Sequence, residues 1–200
     1  MDWRRESEMG QVAAPAKPEK TVSVVRGQLH KFMLIPIMAH NAEWFEAGPV
    51  TFAVEGRVLG DKEGRVGERG ASIHVFSADR SEEYARFDCF EKVPHYHYIL
   101  NADQHNIVWG YDPEINGPML PWALGVIRTR LPTILRRAGA TALAERVETD
   151  GFDVSVLDKV EQAMIAAWDR TFPGTDMVEE GRDWYARWKQ IHPQFNTVTD

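Results

Sequence analysis

Two histidines in the segment of residues 86–98 have the spacing and the type to bind a metal or to move a proton. His95 and His97 are two residues apart, in a run whose composition predicts a β-strand over residues 95–100. Successive strand residues point to opposite faces of a sheet, so both imidazoles are expected on one face, with Tyr96 and Tyr98 on the other.

A carboxylate is expected beside these two rings. Asp88 lies in the preceding predicted strand, residues 83–90, where it shares a face with Arg86. The break at residues 91–94 is short enough for a hairpin, and cross-strand neighbours approach to about 5 Å. The two strands therefore predict that Asp88 or Arg86 is the nearest charged neighbour of at least one histidine.

Three interpretations of this cluster remain open. His95, His97 and Asp88 can bind a divalent metal as two histidines and one carboxylate, or as three of four zinc ligands. Without a metal, a carboxylate that orients an imidazole is suited to general acid/base catalysis. In the third interpretation the rings are structural and satisfied by backbone carbonyls and carboxylates. His74 or His105 could supply a further ligand, depending on the register of the strands.

Other side chains near the cluster suggest a ligand site. Arg86 could hold an anionic group of a small molecule, and the aromatic residues Tyr96, Tyr98 and Trp109 could contact a ligand. Cys89 follows Asp88 and so faces the other side of its strand. It is expected to be a buried, unreactive thiol.

Common enzyme motifs are absent from the sequence. Neither G-x-G-x-x-G nor G-x-x-x-x-G-K-[ST] occurs, which argues against NAD or ATP binding through those folds. No G-x-S-x-G, H-E-x-x-H or EF-hand loop is present either. The cofactor is therefore unknown, with a divalent metal as the candidate that the residues suggest, and whether the chain is an enzyme stays open.

Composition narrows the class of protein. The chain has 200 residues, 44% of them hydrophobic, and a single cysteine, so a disulfide framework is excluded and a reducing cytoplasm is expected. A net charge of −7 argues against nucleic acid as the main partner. The first twenty residues lack a secretory signal, and no apolar run is long enough for a bilayer, so no membrane association is expected.

The pattern of the chain predicts an α+β domain. Residues 21–112 read mainly as strands and residues 117–192 mainly as helices, which predicts an antiparallel meander of about five to seven strands with about three helices packed on it. Residues 1–20 are expected to form a flexible arm, and residues 21–200 one domain. The predicted strands are 21–25, 29–38, 50–58, 71–77, 83–90, 95–100 and 106–111, with a helical turn or loop at 41–49 and an exposed connection at 60–70.

Three helices follow from spacing and capping residues. The first carries an apolar stripe from Leu120 to Leu135 and is expected to kink at Pro132. Asp153 can cap the second helix, and Asp176 with Glu179 three residues later resembles a capping box that starts the third. Residues 117–147 contain five arginines and one glutamate, which predicts either a solvated helix face or a surface for an acidic partner or an anionic ligand.

The end of the chain suggests an interface. Trp184, Tyr185 and Trp188 lie on the third predicted helix, where they form either core or a binding surface, since such residues are enriched at hot spots. Together with the arm and the missing catalytic motifs, they favour an accessory or interaction subunit of a larger cytoplasmic enzyme complex, with a protein partner or a second copy of the chain. The alternative is a small enzyme or ligand-binding domain that uses the His-x-His/Asp cluster on an anionic small molecule.

One family resemblance indicates the kind of organism from which the protein comes. The run Phe-Asp-Cys-Phe-x4-His-Tyr-His-Tyr, followed by Trp-Ala-Leu and Arg-x-Arg-Leu-Pro, resembles an uncharacterised family of small bacterial proteins. The resemblance covers roughly residues 70–140. It implies a bacterial origin and carries no activity with it.

Overall fold

The computed structural model describes residues 28–31, 42–60, 66–103 and 105–171, and within these ranges the protein has seven strands and four helices. The strands are β1 (Gln28–Lys31), β2 (Glu43–Ala47), β3 (Val50–Gly60), β4 (Val66–Ser77), β5 (Glu83–Phe90), β6 (His95–Leu100) and β7 (His105–Gly110). The helices are α1 (Pro113–Asn116), α2 (Met119–Arg137), α3 (Thr141–Asp150) and α4 (Val156–Arg170). Within the same ranges, no helix combines the length and the apolar character that crossing a bilayer requires.

The strands form one antiparallel sheet in the order β1-β7-β6-β5-β4-β3-β2. From β2 to β7 each strand pairs with the next one in the chain, because the connections are short, and β1 adds to the free edge of β7. Helices follow the last strand of this meander. The predicted α+β class, with strands first and helices packed on the sheet, is confirmed.

One face of the sheet, called the helix face, carries the hydrophobic core. Alternation along β3, β4 and β5 sends every second side chain toward α2 and α4, which contact β5 and the β3–β4 pair respectively. The core therefore lies between the apolar face of the sheet, where every second residue points inward, and the apolar sides of the two helices, where the period is about 3.6 residues. Its largest fully buried apolar side chains are Phe52, Ile73, Ile127, Leu131, Leu135, Leu157 and Met164.

Helix α2 is kinked, as the sequence predicted. Arg130 has φ −136° and ψ 17°, outside the helical region, two residues before Pro132. Proline lacks the backbone N–H and its ring clashes with the preceding turn, so the helix bends there. The two halves remain one continuous apolar stripe against the sheet, with Ile127, Leu131 and Ile134 all buried.

Three local predictions were wrong. Residues 41–49 contain strand β2 instead of a helical turn, because the alternating segment Glu43–Ala47 pairs along the edge of β3. The predicted connection at 60–70 is shorter, since β3 runs to Gly60 and β4 starts at Val66. Helix α3 was missed because it buries only Ala144 and Val147 and lacks a side-chain N-cap, which leaves a weak helical pattern.

Several predictions fall outside the described residues. These are the flexible arm at 1–20, the strand at 21–25, most of the strand at 29–38 and the helix that begins at Asp176. Trp184, Tyr185 and Trp188 belong to that predicted helix and also lie outside the described residues, so their role as an interface stays a prediction.

Candidate metal centre

The hairpin of β5 and β6 brings the predicted cluster together. The two strands are antiparallel, with Asp88 opposite His95 and Arg86 opposite His97. The intervening Tyr96 packs against the core on the helix face. The histidines lie on the opposite face, called the polar face, with Asp88 as a direct neighbour of both. The predicted pairing and facing of this hairpin are confirmed.

Three ligand atoms converge in what we call the Asp88 cluster. Nε2 of His97 lies 2.9 Å and Nε2 of His95 lies 3.2 Å from the same carboxylate oxygen, Oδ2 of Asp88. One ligand atom from each of the three residues lies within 4.8 Å of the others. The side chains of Asp88 and His97 are 3% and 10% exposed, whereas that of His95 is 21% exposed. Solvent can therefore reach the cluster most easily beside His95.

In each side chain of the cluster, the ring nitrogen or carboxylate oxygen that faces away from the centre also has a hydrogen-bond partner. Nδ1 of His95 lies 2.7 Å from the carbonyl oxygen of Val93, and Nδ1 of His97 lies 3.0 Å from Oδ1 of Asn106. The hydroxyl of Ser72 donates to Oδ1 of Asp88 at 2.5 Å. Such outer contacts hold rings and carboxylates in one orientation, as they do around metal ligands.

These contacts decide where the ring proton of His95 lies. A carbonyl oxygen only accepts, so Nδ1 of His95 must carry a proton, whereas the Asn106 amide can accept from or donate to Nδ1 of His97, so either tautomer of His97 fits. In a neutral His95 the proton is then absent from Nε2. The Nε2 lone pair of His95 faces the charged oxygen of Asp88, and these two electron-rich atoms repel one another unless a cation or a further proton lies between them.

Burial and the contacts between Asp88 and the two histidines shift the pKa values of all three side chains in the cluster. Burial alone would raise the pKa of the Asp88 carboxyl, but hydrogen bonds and positive charge from His95 and His97 hold it well below its usual range. Burial would lower the pKa of His95, but the contact with Asp88 raises it above its ordinary value. At His97 the effect of burial exceeds that of the contact with Asp88, so the pKa of His97 is lowered. The balance of burial and the contact with Asp88 therefore shifts the pKa values of the two imidazoles in opposite directions from their ordinary value.

A second buried network lies next to the Asp88 cluster and occupies Arg86. The guanidinium of Arg86 is 4% exposed and donates twice to the carboxylate of Glu83, at 2.9 and 2.7 Å. A β-bulge makes this possible: Phe76 pairs with Glu83 and Val75 with Ala85, so Tyr84 is the extra residue. Arg86 is thus held within the sheet, away from any ligand of the kind that the sequence suggested for it.

His74 belongs to this second network, so it is not a further ligand of the Asp88 cluster. Its Nδ1 lies 2.7 Å from Oε1 of Glu83 and its Nε2 lies 3.3 Å from Oε1 of Glu55. Glu55 also binds Arg57 on the same strand. His105 lies beside Asn106 on β7, and alternation places it on the helix face, away from the cluster.

The aromatic ligand candidates lie on the other side of the sheet. Tyr96 and Trp109 are direct cross-strand partners, and Tyr98 follows on the same face. The guanidinium carbon of Arg137 lies 5.0 Å from the ring centroid of Tyr98 and 5.2 Å from that of Trp109. The sheet therefore separates these rings from Arg86, and the four predicted ligand residues do not form one site.

Cys89 has the buried position that the sequence predicted. It packs in the core on the helix face, and burial, with a further contribution from the charge of Asp88, raises the pKa of its thiol to about 12. The basic segment is partly a solvated helix face: exposed Arg136 and Arg128 pair with Glu148 and Asp158.

Five polar residues of the two networks were missed from the sequence: Glu55, Ser72, Glu83, Asn106 and Arg57. A signal existed for the first two, since polar residues recur with period two inside β3 and β4, as in Thr51, Glu55 and Arg57. Polar side chains at alternate positions of long inner strands indicate a buried polar face. The position of Glu83 depends on the β-bulge in β5, and that of Asn106 depends on the β6–β7 register. Neither feature leaves a local pattern in the sequence.

The three residues of the candidate centre lie within a segment that matches a known protein-family model. No curated protein and no solved structure matches the sequence. A family model described as a domain of unknown function, DUF7700, matches residues 44–164, from β2 into α4. This segment includes Asp88, His95 and His97. Because the match covers more than half of the 200 residues, the chain belongs to the DUF7700 family.

Proposed function

We propose that this domain binds a divalent transition metal, with zinc as the best match, through Asp88, His95 and His97. In this proposal the domain is a small metal-assisted enzyme or metal-dependent ligand-binding domain. The observation that carries the proposal is the convergence of two Nε2 atoms on one carboxylate oxygen while both Nδ1 atoms are engaged elsewhere.

The distances between the donor atoms support zinc. Bonds of about 2.0–2.2 Å at a tetrahedral angle put two ligand atoms about 3.3–3.6 Å apart, slightly farther than the donor atoms of the cluster. The two nitrogen–oxygen distances in the cluster are 2.9 and 3.2 Å. Small rotations of the two rings are thus sufficient to admit an ion, and two imidazoles with one carboxylate are donors that zinc accepts.

The number of ligands supports a working site over a purely structural one. Three protein ligands leave a tetrahedral ion with a fourth position for water or substrate, whereas structural zinc sites are closed by four protein ligands. The partial exposure of His95 indicates the side from which a small molecule would approach. A zinc ion bound there would act as a Lewis acid and lower the pKa of a bound water.

The first experiment is elemental analysis of protein purified from zinc-supplemented cells, alongside His95→Gln and His97→Ala. About one zinc per chain is expected in the parent and a large loss in both variants. His105→Gln is the matched control, because it changes a histidine on the opposite face of the sheet. Sub-stoichiometric metal that both variants retain would overturn the proposal. His95→Gln keeps the test decisive if His97→Ala does not fold, since His95 is the most exposed of the three.

General acid/base chemistry is the second candidate, favoured by the raised pKa of His95 beside Asp88. An imidazolium whose proton faces a carboxylate can donate that proton to a substrate and recover it. A protein free of metal in which His95 titrates above its ordinary pKa, measured by NMR, would support this candidate. A His95 that titrates at the ordinary value would remove it.

The interaction-subunit hypothesis remains a prediction as well. It rests on the arm at residues 1–20 and on Trp184, Tyr185 and Trp188, which lie outside the described residues. Light scattering on protein from its native source tests it. A complex larger than the 22.8 kDa chain would support it, and a lone monomer would count against it.

A further inference from the structure

A cavity of about 530 Å³ opens on the helix face, between α2 and strands β5 and β6. Its volume lies within the range of small-molecule sites, about 300–1,000 Å³. The sheet separates it from the Asp88 cluster. We call it the tyrosine cavity, and it is lined by Phe87, Tyr96, Tyr98, Trp122, Gly125, Val126, Thr129, Arg130, Thr133 and Ile134.

One wall of the tyrosine cavity is a set of aromatic rings in mutual contact. Phe87 and Tyr96 are stacked, with centroids 6.2 Å apart and planes at 21°. Trp122 reaches across from α2 to within 5.3 Å of the Tyr96 ring centroid. Trp122 is tilted by 47° from the Tyr96 plane, so the rings form an apolar corner that is held by their mutual contacts at little cost in side-chain entropy.

The opposite wall carries one cation and two hydroxyl groups. Arg130, Thr129 and Thr133 line it from the kinked part of α2, and no acidic residue lines the cavity. Among the residues that the structure describes, no carboxylate pairs with Arg130, whereas Arg128 and Arg136 pair with Asp158 and Glu148. A positive lining in a chain of net charge −7 favours an anionic ligand.

We propose that the tyrosine cavity binds a planar aromatic anion, one or two fused rings carrying a carboxylate or sulfonate, with the rings on Phe87, Tyr96 and Trp122 and the anionic group on Arg130. A guanidinium matches a planar or tetrahedral oxyanion with two parallel hydrogen bonds. The hydroxyl group of Thr133 adds a neutral donor beside it, whereas the Thr129 hydroxyl donates to the carbonyl oxygen of Gly125 and can only accept. The site is independent of the metal centre proposed above, because it lies on the other face of the sheet.

The test is calorimetric titration with 2-naphthalenesulfonate and with its neutral analogue 2-naphthalenemethanol. The anion is expected to bind at least about tenfold more tightly than the alcohol, since a charge-assisted hydrogen bond is lost with the neutral compound. A sulfonate is a poor metal ligand, so the result does not depend on whether zinc is bound to the Asp88 cluster. Equal affinity for the two compounds, or no binding of the anion at millimolar concentration, would overturn the proposal.

Two variants assign the binding to this cavity. Arg130→Gln should weaken the anion by about tenfold and leave the alcohol unchanged. Arg128→Gln is the matched control, two residues earlier on the same helix and paired with Asp158, and should leave both affinities unchanged.

Gly125→Leu is the third variant, designed to fill the cavity without harming the fold. Gly125 lines the cavity, and a Cβ built there meets no atom within 4 Å. Leucine is also a much better helix former than glycine, so the variant should be at least as stable as the parent. It should abolish binding of the anion. Binding that survives Gly125→Leu and Arg130→Gln would place the ligand elsewhere and contradict the proposal.

Discussion

His97 binds Asp88 diagonally across the β5–β6 hairpin: its Nε2 lies 2.9 Å from Oδ2 of a residue that pairs directly with His95. The strand positions thus give Asp88 two imidazole partners, one opposite and one diagonal. Both contacts are largely removed from water, so the negative charge of Asp88 depends on them.

Asp88→Asn should be among the most destabilising conservative changes in this domain. The amide keeps the size of the side chain but removes the charge that His95 and His97 face, and breaking a buried ion pair costs about 3 kcal/mol or more. Denaturant unfolding measures the loss. The pKa of His95 should fall in the same variant, because Asp88 is what raises it.

Asp150→Asn provides the control for this change, since Asp150 is exposed at the end of α3. Its free energy of unfolding should stay within about 0.5 kcal/mol of the parent. Equal stability of the two variants would mean that the Asp88 cluster contributes nothing to the fold.

The carboxylate of Glu55 should make the domain sensitive to acid at low pH. Burial would raise the pKa of Glu55, but the charge of Arg57 and the contact with His74 lower it from 4.5 to about 2. A depressed pKa means that the folded state binds the proton less tightly than the unfolded state does. The stabilisation is therefore complete above pH 4.5 and is lost as the pH falls through about 2.

Glu55→Gln isolates this contribution. The parent should lose on the order of 3 kcal/mol of unfolding free energy from this group between neutral pH and pH 2. The variant should start less stable and lose less over the same range, as measured by urea unfolding at a series of pH values. Parallel curves for the two proteins would show that Glu55 does not titrate as described.

Gly70→Ala should destabilise the pairing of β4 with β5. A Cβ at Gly70 would lie 2.6 Å from the carbonyl oxygen of Cys89 and 2.8 Å from Cα of Phe90, and φ is +158°. Both contacts are with backbone, so the strands must separate, and a loss of about 2 kcal/mol or more is expected. Gly125→Ala is the control, because its Cβ meets open space and the helix gains about 1 kcal/mol. Thermal melts that rank the two alanine variants in the reverse order would contradict this account.

Cys89 should be unreactive in the folded protein. Its thiol is buried and its pKa is raised to about 12, so almost no thiolate exists at pH 8. A colorimetric disulfide reagent should label it only after unfolding. The chain has one cysteine, so the signal has one source. Rapid, complete labelling of the native protein would show that the thiol is accessible.

The sequence predicted the hairpin that carries the cluster because its signals are local. Alternation in residues 83–90 and 95–100 and a short break between them predict both pairing and facing. The class of the fold followed from the change of hydrophobic period, from two to about 3.6, after Pro113. These inferences required no contact between distant parts of the chain.

The residues that surround the cluster could not be predicted from local sequence signals. Ser72 reaches Asp88 through the β4–β5 register, and Asn106 reaches His97 through the β6–β7 register. A one-residue change in either register would turn these side chains to the other face. The bulge at Tyr84, which brings Glu83 to Arg86, likewise depends on the partner strand.

The linked polar side chains of Glu55, His74, Glu83 and Arg86 also limit how this protein can change over generations. Neutralising Arg86 removes the guanidinium that binds the buried carboxylate of Glu83, which is more costly than altering both together. Substitutions at these sites should therefore occur in compensating pairs across β3, β4 and β5 when members of the family are compared. The polar face would then be inherited as a unit, while the exposed ion pairs of α2 drift independently.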